Sequence, residues 1–516
     1  MNRRELGVGV ASATLALGAS QQAFAQSANG AVSTETLQAQ IGRLPQNIQA
    51  DVRKVYEQTN GRPVWNEARI RTLQQVAAGA DKHALHSGDY FDFVGLAAQK
   101  DSADVRATAS ALSYAKVLAH GRIAPESVED LWEMEKNSAD VASGLVQAIN
   151  GNRLAEWFDG LAPQDIGYKN LSTGYLRYRR IAGEGGWPAF RTGAQIEPGT
   201  SDPRVPALVR RLVAEGDLSA AAAASIGQST VYSSAVQEGV RSFQTRHGLG
   251  VDGRVGPATQ RSLSATAEDR ARQIALNLER RRWLKRELQP ERIEVNTAAA
   301  IMVYWKDNRP VHSNRVVVGS VENQTPSLER QFASVVANPP WTVPMGIARR
   351  EILPRGPGYL AANDMYINDQ GWVVQRAGPR SSLGYVKFEL RDSYAIFLHD
   401  TPNKGAFNLS MRQRSHGCVR VHNAVEFARL LLSPDPAKLA IFDNAQADRT
   451  TTRVQTGRPI GVRLLYWTAF VDGQGRVAFR EDSYRRDAKL ARAMGIDVSL
   501  PEVVTEAPKD KDDDWL

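Results

Sequence analysis

The sequence predicts a multidomain α+β protein, and three observations carry that expectation. The chain has 516 residues, enough for two to four domains. Its first part repeats apolar residues at helical spacing, whereas beyond about residue 289 runs of Val, Ile, Phe and Tyr alternate with Pro and Gly. Hydrophobic residues at 42% and charged residues at 23% lie near globular averages, so each part can bury a core.

The elements follow in order. Residues 1–25 read as a signal peptide. Arg3 and Arg4 precede an apolar stretch from Leu6 to Ala19, and Ala23 and Ala25 stand at A-x-A spacing, which predicts cleavage after Ala25. That stretch is too short, and too rich in Gly, Ser and Thr, for a good membrane span. No other segment is apolar enough, so an exported mature chain without a transmembrane segment is expected. Residues 26–204 read as a helical scaffold region. "ADVRATASALSYAKVLAHG" places Val105, Ala109, Leu112, Ala115 and Ala119 at steps of three and four, with Gly121 at the helix end. Trp65, Trp132 and Trp157 are expected to pack in its core. "GEGGWPAFRTGAQIEPGTSDPRVP" is a Gly- and Pro-rich linker.

Residues 205–266 form a compact unit. Val236, Val240, Phe243 and His247 share a helix face that Gly248 ends; Asp252-Gly253 makes a turn, and Pro257 opens the next helix. Residues 267–288 read as a charged connecting helix with Ile274, Leu278 and Trp283 near one face. Residues 289–446 are strand-rich, interrupted by an irregular insertion at 346–377 that carries "ILPRGPGYL" and Trp372 and has the length of a lid. Residues 447–516 contain a β-hairpin turning at Asp472-Gly473, then an acidic polar tail.

The formal charge of +8 and pI of about 9.4 suit anionic surroundings such as a carboxylate-rich polymer. Lys and Arg form no dense patch, which argues against a nucleic-acid module.

The segment "RSHGCVRVHN" holds the chain's one cysteine, Cys418, between His416 and His422, with His399 upstream in "IFLHDTP". An exported chain with one cysteine cannot close an internal disulfide. Three readings stand open. Cys418 is a buried structural thiol; or it joins His399, His416 and His422 around zinc; or it is a nucleophile that a histidine activates. Gly417 would let a substrate approach the backbone closely. Asn423, with Glu426 three residues on, has the form of a capping box ahead of a helix.

These residues resemble a known family. His399, fifteen intervening residues, then Ser415-His416-Gly417-Cys418-Val419-Arg420 and Asn423 are similar to the H-x(15–17)-[S/T]-H-G-C-x-R-x-x-N signature of YkuD-type L,D-transpeptidases. "NPPWTVP", "GPRSSLGYVKFEL" and "AIFLHDTPNKGAF" resemble its larger, YcbB-like branch, and "FQTRHGLGVDGRVGPAT" resembles a three-helix peptidoglycan-binding domain. Two positions depart from that branch: Ser381 stands where Asn is common, and Phe397 where Tyr is common.

The resemblance implies a β-sandwich-like catalytic domain with a capping insertion. It implies Cys418 as nucleophile, His399 as general base, and His416 and Gly417 at the catalytic centre. Backbone N–H groups of His416, Gly417 and Cys418 would form the oxyanion hole, and Arg420, Asn423, Trp372 and Tyr385 would contact substrate. If the strand continues past His399, Asp400 faces away from it, and a backbone carbonyl is expected to orient the imidazole. His422 is expected to be structural. The implied reaction joins peptidoglycan stems by 3→3 cross-links, with no cofactor and no metal. Location would be the periplasm. Partners would be stem peptides and the sacculus, with peptidoglycan synthases or carboxypeptidases as further candidates.

Overall fold

The computed structural model describes residues 34–98, 100–391 and 396–497. The expected leader at 1–25 and the acidic tail lie outside the described residues. Up to residue 183 the described chain is mostly helical. In the helix Ala103–His120, Val105, Ala109, Leu112, Ala115 and Ala119 are all buried. Trp65 is buried in the same core, and Trp157 packs against it.

Four helices occupy the next unit: Val205–Glu215, Ala220–Ile226, Ser234–His247 and Pro257–Ser264. Val236, Val240, Phe243 and His247 are buried as their spacing requires, and Gly248 takes φ +69° to end its helix. The unit is docked rather than tethered. The Arg246 guanidinium sits on Asp217 and donates to the Val477 carbonyl at 3.0 Å, and the His247 ring stacks between Phe243 and Phe479.

The connecting helix Ala267–Trp283 differs from its expectation. A charged connector should expose its charges, yet Glu279, Arg280 and Arg282 are buried. Buried charge is tolerable when paired. Arg282 pairs with Glu279 at 2.7 Å, and Arg280 pairs with Asp487 and lies 3.5 Å from Glu129. The helix therefore runs through the middle of the molecule, packed on the helix Ile166–Gly183 and on the C-terminal hairpin.

The strands are β1 (Trp132–Glu133), β2 (Arg292–Asn296), β3 (Ile301–Lys306), β4 (Arg309–Gly319), β5 (Ser327–Ala337), β6 (Trp341–Thr342), β7 (Met365–Ile367), β8 (Val373–Gln375), β9 (Val386–Leu390), β10 (Leu398–His399), β11 (Gln413–Ser415), β12 (Val419–Val421), β13 (Thr452–Val454), β14 (Gly461–Leu465), β15 (Ala469–Val471) and β16 (Val477–Phe479). The main sheet runs β1-β5-β14-β2-β3-β4-β12-β10-β9, with β11 on β4 and β13 on β5. Because β9 also pairs with β5, the sheet curls back on itself, which gives the β-rich unit its two-sided form. Phe427, Ala428, Leu431 and Leu432, from the helix Ala424–Leu432, fill its core.

Two distant segments contribute to this sheet. β1 comes from the helical region and lies parallel to β5, with Trp132 opposite Ser327. β13 and β14 come from beyond residue 446, the stretch expected to be an extension. The hairpin β15–β16 is present, but its turn spans Asp472 to Arg476, and Gly475 rather than Gly473 takes the positive φ, +77°. The insertion is also more ordered than its irregular sequence suggests. β6, β8 and β7 form a small sheet over a core of Trp341, Val343, Ile352, Met365, Val373 and Leu383.

Candidate active site

β9, β10 and β12 lie side by side and set the site. His399 is in register with Lys387 on β9 and with Arg420 on β12. Residues in register share a face, so these three side chains form a row across the sheet. Cys418 stands in the bend immediately before β12, two residues ahead of Arg420. Leu398, Val419 and Val421 point the other way and are fully buried.

The His399 imidazole Nδ1 lies 2.5 Å from the carbonyl oxygen of Asp400. A carbonyl can only accept, so Nδ1 carries the hydrogen and Nε2 keeps its lone pair. The Asp400 carboxylate turns away, accepting from the Tyr385 N–H at 3.0 Å and pairing with Lys404. The strand therefore does what its alternation predicts. Burial first, then the positive charge of Arg420, pushes the imidazole down to about 3, so His399 is neutral at ordinary pH. Phe397 packs edge-on against it at 5.5 Å and bridges to the core of the insertion.

Cys418 is half-buried and closes a tight turn between β11 and β12. The Ser415 hydroxyl staples this turn: it accepts from the Gly417 N–H at 3.2 Å and donates to the Cys418 carbonyl at 2.5 Å. Gly417 takes φ +110°, which side chains rarely adopt. Glycine is thus required by backbone conformation as well as by access. The expected trio of oxyanion donors is reduced, because the Gly417 N–H is held by Ser415 in this state.

His416 is partly exposed, and its Nε2 lies 3.1 Å from Glu351 of the insertion. The insertion thereby touches the turn that carries Cys418. Trp372 sits at the tip of the β7–β8 hairpin, 37% exposed, with its N–H donated to the Asn368 side chain. The Tyr385 ring is also 38% exposed. Asn423 is exposed and takes φ +51° at the helix start without a side-chain capping bond, so the expected capping box does not form. Its left-handed backbone explains Asn there instead. His422 donates its N–H to Arg315 and packs its ring on Phe407, apart from the row. Among the described residues, no group of His, Cys, Asp and Glu could hold a metal ion, so the zinc reading has no site. Ser381 is buried in a turn, where its hydroxyl accepts from the Leu383 N–H.

Sequence reasoning missed Lys387, Glu351 and the working of the Ser415 hydroxyl. Lys387 alternates outward between buried Val386 and Phe388, which is legible in "YVKFEL", but its register with His399 is not.

Comparison with known proteins gives matches to three family models. Residues 290–460 match the model "L,D-transpeptidase catalytic domain", YkuD. Residues 50–174 match "Scaffold domain" and 201–263 match "Putative peptidoglycan binding domain". The chain is 31% identical over 220 residues to a "Putative L,D-transpeptidase" of Haemophilus influenzae, a match covering 38% of this chain and 45% of that protein. It thus spans less than half the length of that curated relative. Among solved structures, an L,D-transpeptidase of Stackebrandtia nassauensis is 13% identical, covering 54% of this chain and 96% of the other, with a TM-score of 0.22. One of Xylanimonas cellulosilytica is 18% identical, covering 53% and 98%, with a TM-score of 0.18. The strand-rich unit thus matches the YkuD L,D-transpeptidase catalytic domain, on one chain with a segment that matches a putative peptidoglycan-binding domain. No helix among the described residues is long and apolar enough to cross a membrane.

Proposed function

We propose that the protein forms 3→3 cross-links in peptidoglycan through a thioester on Cys418, as a member of the YcbB-like branch acting in the periplasm. The observation that carries this reading is the register of His399 with Arg420 beside the bend that holds Cys418, with the His399 Nδ1 committed to a carbonyl. Nε2 is then the atom that takes the thiol proton. The thiolate attacks the carbonyl at the L-centre of diaminopimelate in a tetrapeptide stem. The carbon–nitrogen bond to D-Ala breaks, the leaving amine takes the proton from the imidazolium, and a thioester remains. The side-chain amine of a neighbouring diaminopimelate then attacks it, and the thiol is restored.

Arg420 offers its guanidinium to a substrate carboxylate and stabilises negative charge on the sulfur. The reaction needs no metal or organic cofactor. The domain at 201–263 supports binding to the sacculus. With water in place of the amine, the same thioester would give L,D-carboxypeptidase activity; with the chemistry lost, the protein would be a wall-binding scaffold. Purified protein is incubated with tetrapeptide muropeptides, with and without an acceptor stem. A dimer joined between two diaminopimelates, absent for Cys418→Ala, is the expected product. Tripeptide alone would assign the hydrolytic reading, and D-Ala release unchanged by Cys418→Ala would remove the mechanism.

A further inference from the structure

The turn that carries Cys418 is held from behind by residues of three distant segments. The Thr325 hydroxyl, fully buried, donates to the Gly417 carbonyl at 2.8 Å and accepts from the Gly319 N–H at 2.8 Å. Thr325 is itself held on both sides. Its N–H reaches the Tyr484 hydroxyl at 3.4 Å, which in turn donates to the Gly319 carbonyl at 2.6 Å. Its carbonyl accepts from the Arg486 Nη2 at 3.1 Å. The other end of that guanidinium donates to Glu129 at 3.0 Å and to the Ser327 hydroxyl at 2.9 Å. Tyr484, Arg486, Glu129 and Ser327 are all buried.

The consequence lies in the peptide between Gly417 and Cys418. It is planar and trans, so its carbonyl and its N–H point in opposite directions. Drawing the carbonyl inward to Thr325 aims the Cys418 N–H outward. With the Gly417 N–H spent on Ser415, the Cys418 N–H is the donor on this turn whose direction Thr325 controls. We infer that Thr325, braced by Tyr484 and Arg486 of the C-terminal segment and by Glu129 of the scaffold region, is a positioning residue that aims the Cys418 N–H at the oxyanion of the acylation step. The inference rests on the thioester reading proposed above.

The test compares two reactions of one thiol. Acylation by a carbapenem passes through an oxyanion: the sulfur adds to the lactam carbonyl, the ring carbon–nitrogen bond breaks and the nitrogen takes a proton. Alkylation by iodoacetamide forms a sulfur–carbon bond, expels iodide and has no oxyanion. Losing one oxyanion donor costs about 10²–10³ in rate in comparable sites. Thr325→Val, which keeps the shape and removes the hydroxyl, should slow carbapenem acylation roughly 10–100-fold, less than outright loss of a donor. Alkylation should stay within about threefold, and Thr325→Ser should restore acylation. Intact-protein mass spectra over time read both rates.

Equal slowing of both reactions in Thr325→Val, or a Thr325→Ser variant as slow as the Val one, makes Thr325 merely structural and overturns the inference. Acylation at the wild-type rate in a folded Thr325→Val overturns it as well. Should Thr325→Val fail to fold, Tyr484→Phe decides, with the same selective loss expected and an unchanged acylation rate overturning the idea. Wild-type protein whose Cys418 alkylates but never acylates would instead remove the thioester reading itself, and the inference with it.

Discussion

At the scale of single residues, the site couples a half-buried thiol to an imidazole kept neutral by its surroundings. His399→Ala should lower the acylation rate by about 10²–10⁴, the usual scale for removing a general base. Single-turnover acylation near pH 7 checks this, and an unchanged rate would assign thiol activation to another group. The charge state also has a sign that can be read. Burial and Arg420 hold the imidazole down at about 3, so the acid limb of the acylation profile should lie far below pH 6.5. Arg420→Met removes a neighbouring positive charge, makes protonation easier and should move that limb to higher pH. A limb that stays in place would show that Arg420 does not act on His399. The carbonyl that orients the His399 imidazole and the outward Asp400 carboxylate were legible in the sequence, because they depend on the two-residue period of a strand. Lys387, Glu351 and Thr325 were not, because each reaches the site from a separate segment through register or loop packing that no local pattern encodes.

At the scale of elements, the insertion behaves as a small domain with its own core, joined to the Cys418 turn by the Glu351–His416 contact. A lid tied at that point should favour an amine acceptor by excluding water. Glu351→Ala should therefore raise the hydrolytic share of turnover. Trp372→Ala should raise it less, because Trp372 lies at a partly exposed hairpin tip. The ratio of tripeptide to cross-linked dimer measures both, and wild-type ratios in both variants would reduce the insertion to decoration. The core of the insertion was not legible in the sequence, because Val373 stands between Trp372 and Val374 and no alternation marks it. The turn of the C-terminal hairpin was misplaced for a related reason. Asp472-Gly473 has two-residue turn chemistry, yet the Asp472 side chain accepts from the Gln474 and Arg476 N–H groups and opens the turn. The connecting helix hid more: the partners of its buried charges, Glu129 and Asp487, lie far away in sequence.

At the scale of the whole molecule, several buried titratable groups make stability depend on pH. Burial, reinforced by Arg282, pushes His83 down to about 3, and burial with Arg246 pushes His247 well below its ordinary value. His399 behaves likewise. Below about pH 6.5 the unfolded chain binds protons that these folded histidines refuse, down to about pH 3 for His83 and His399, so stability falls as pH falls, by up to about 1.4 kcal/mol per unit for each. Asp482 works in the opposite sense. Burial and Asp487 raise it to about 6, so it retains a proton that the unfolded chain releases above pH 3.8. Burial raises Asp104 and Glu481 in the same sense, and it lowers His120 and His422 along with the other histidines. Five histidines outweigh three carboxyls, and the urea midpoint should drop between pH 7 and pH 5, with His83→Gln flattening the slope. A midpoint that is level or rises on acidification would contradict this balance. The two-residue strand β1 has a different consequence. It covers the first residues of β5, whose unpaired N–H and C=O groups would otherwise form a bare sheet margin. A fragment begun at residue 289 would leave that margin open as a template for its own copies, so the helical region protects the catalytic unit from self-association as well as bracing it.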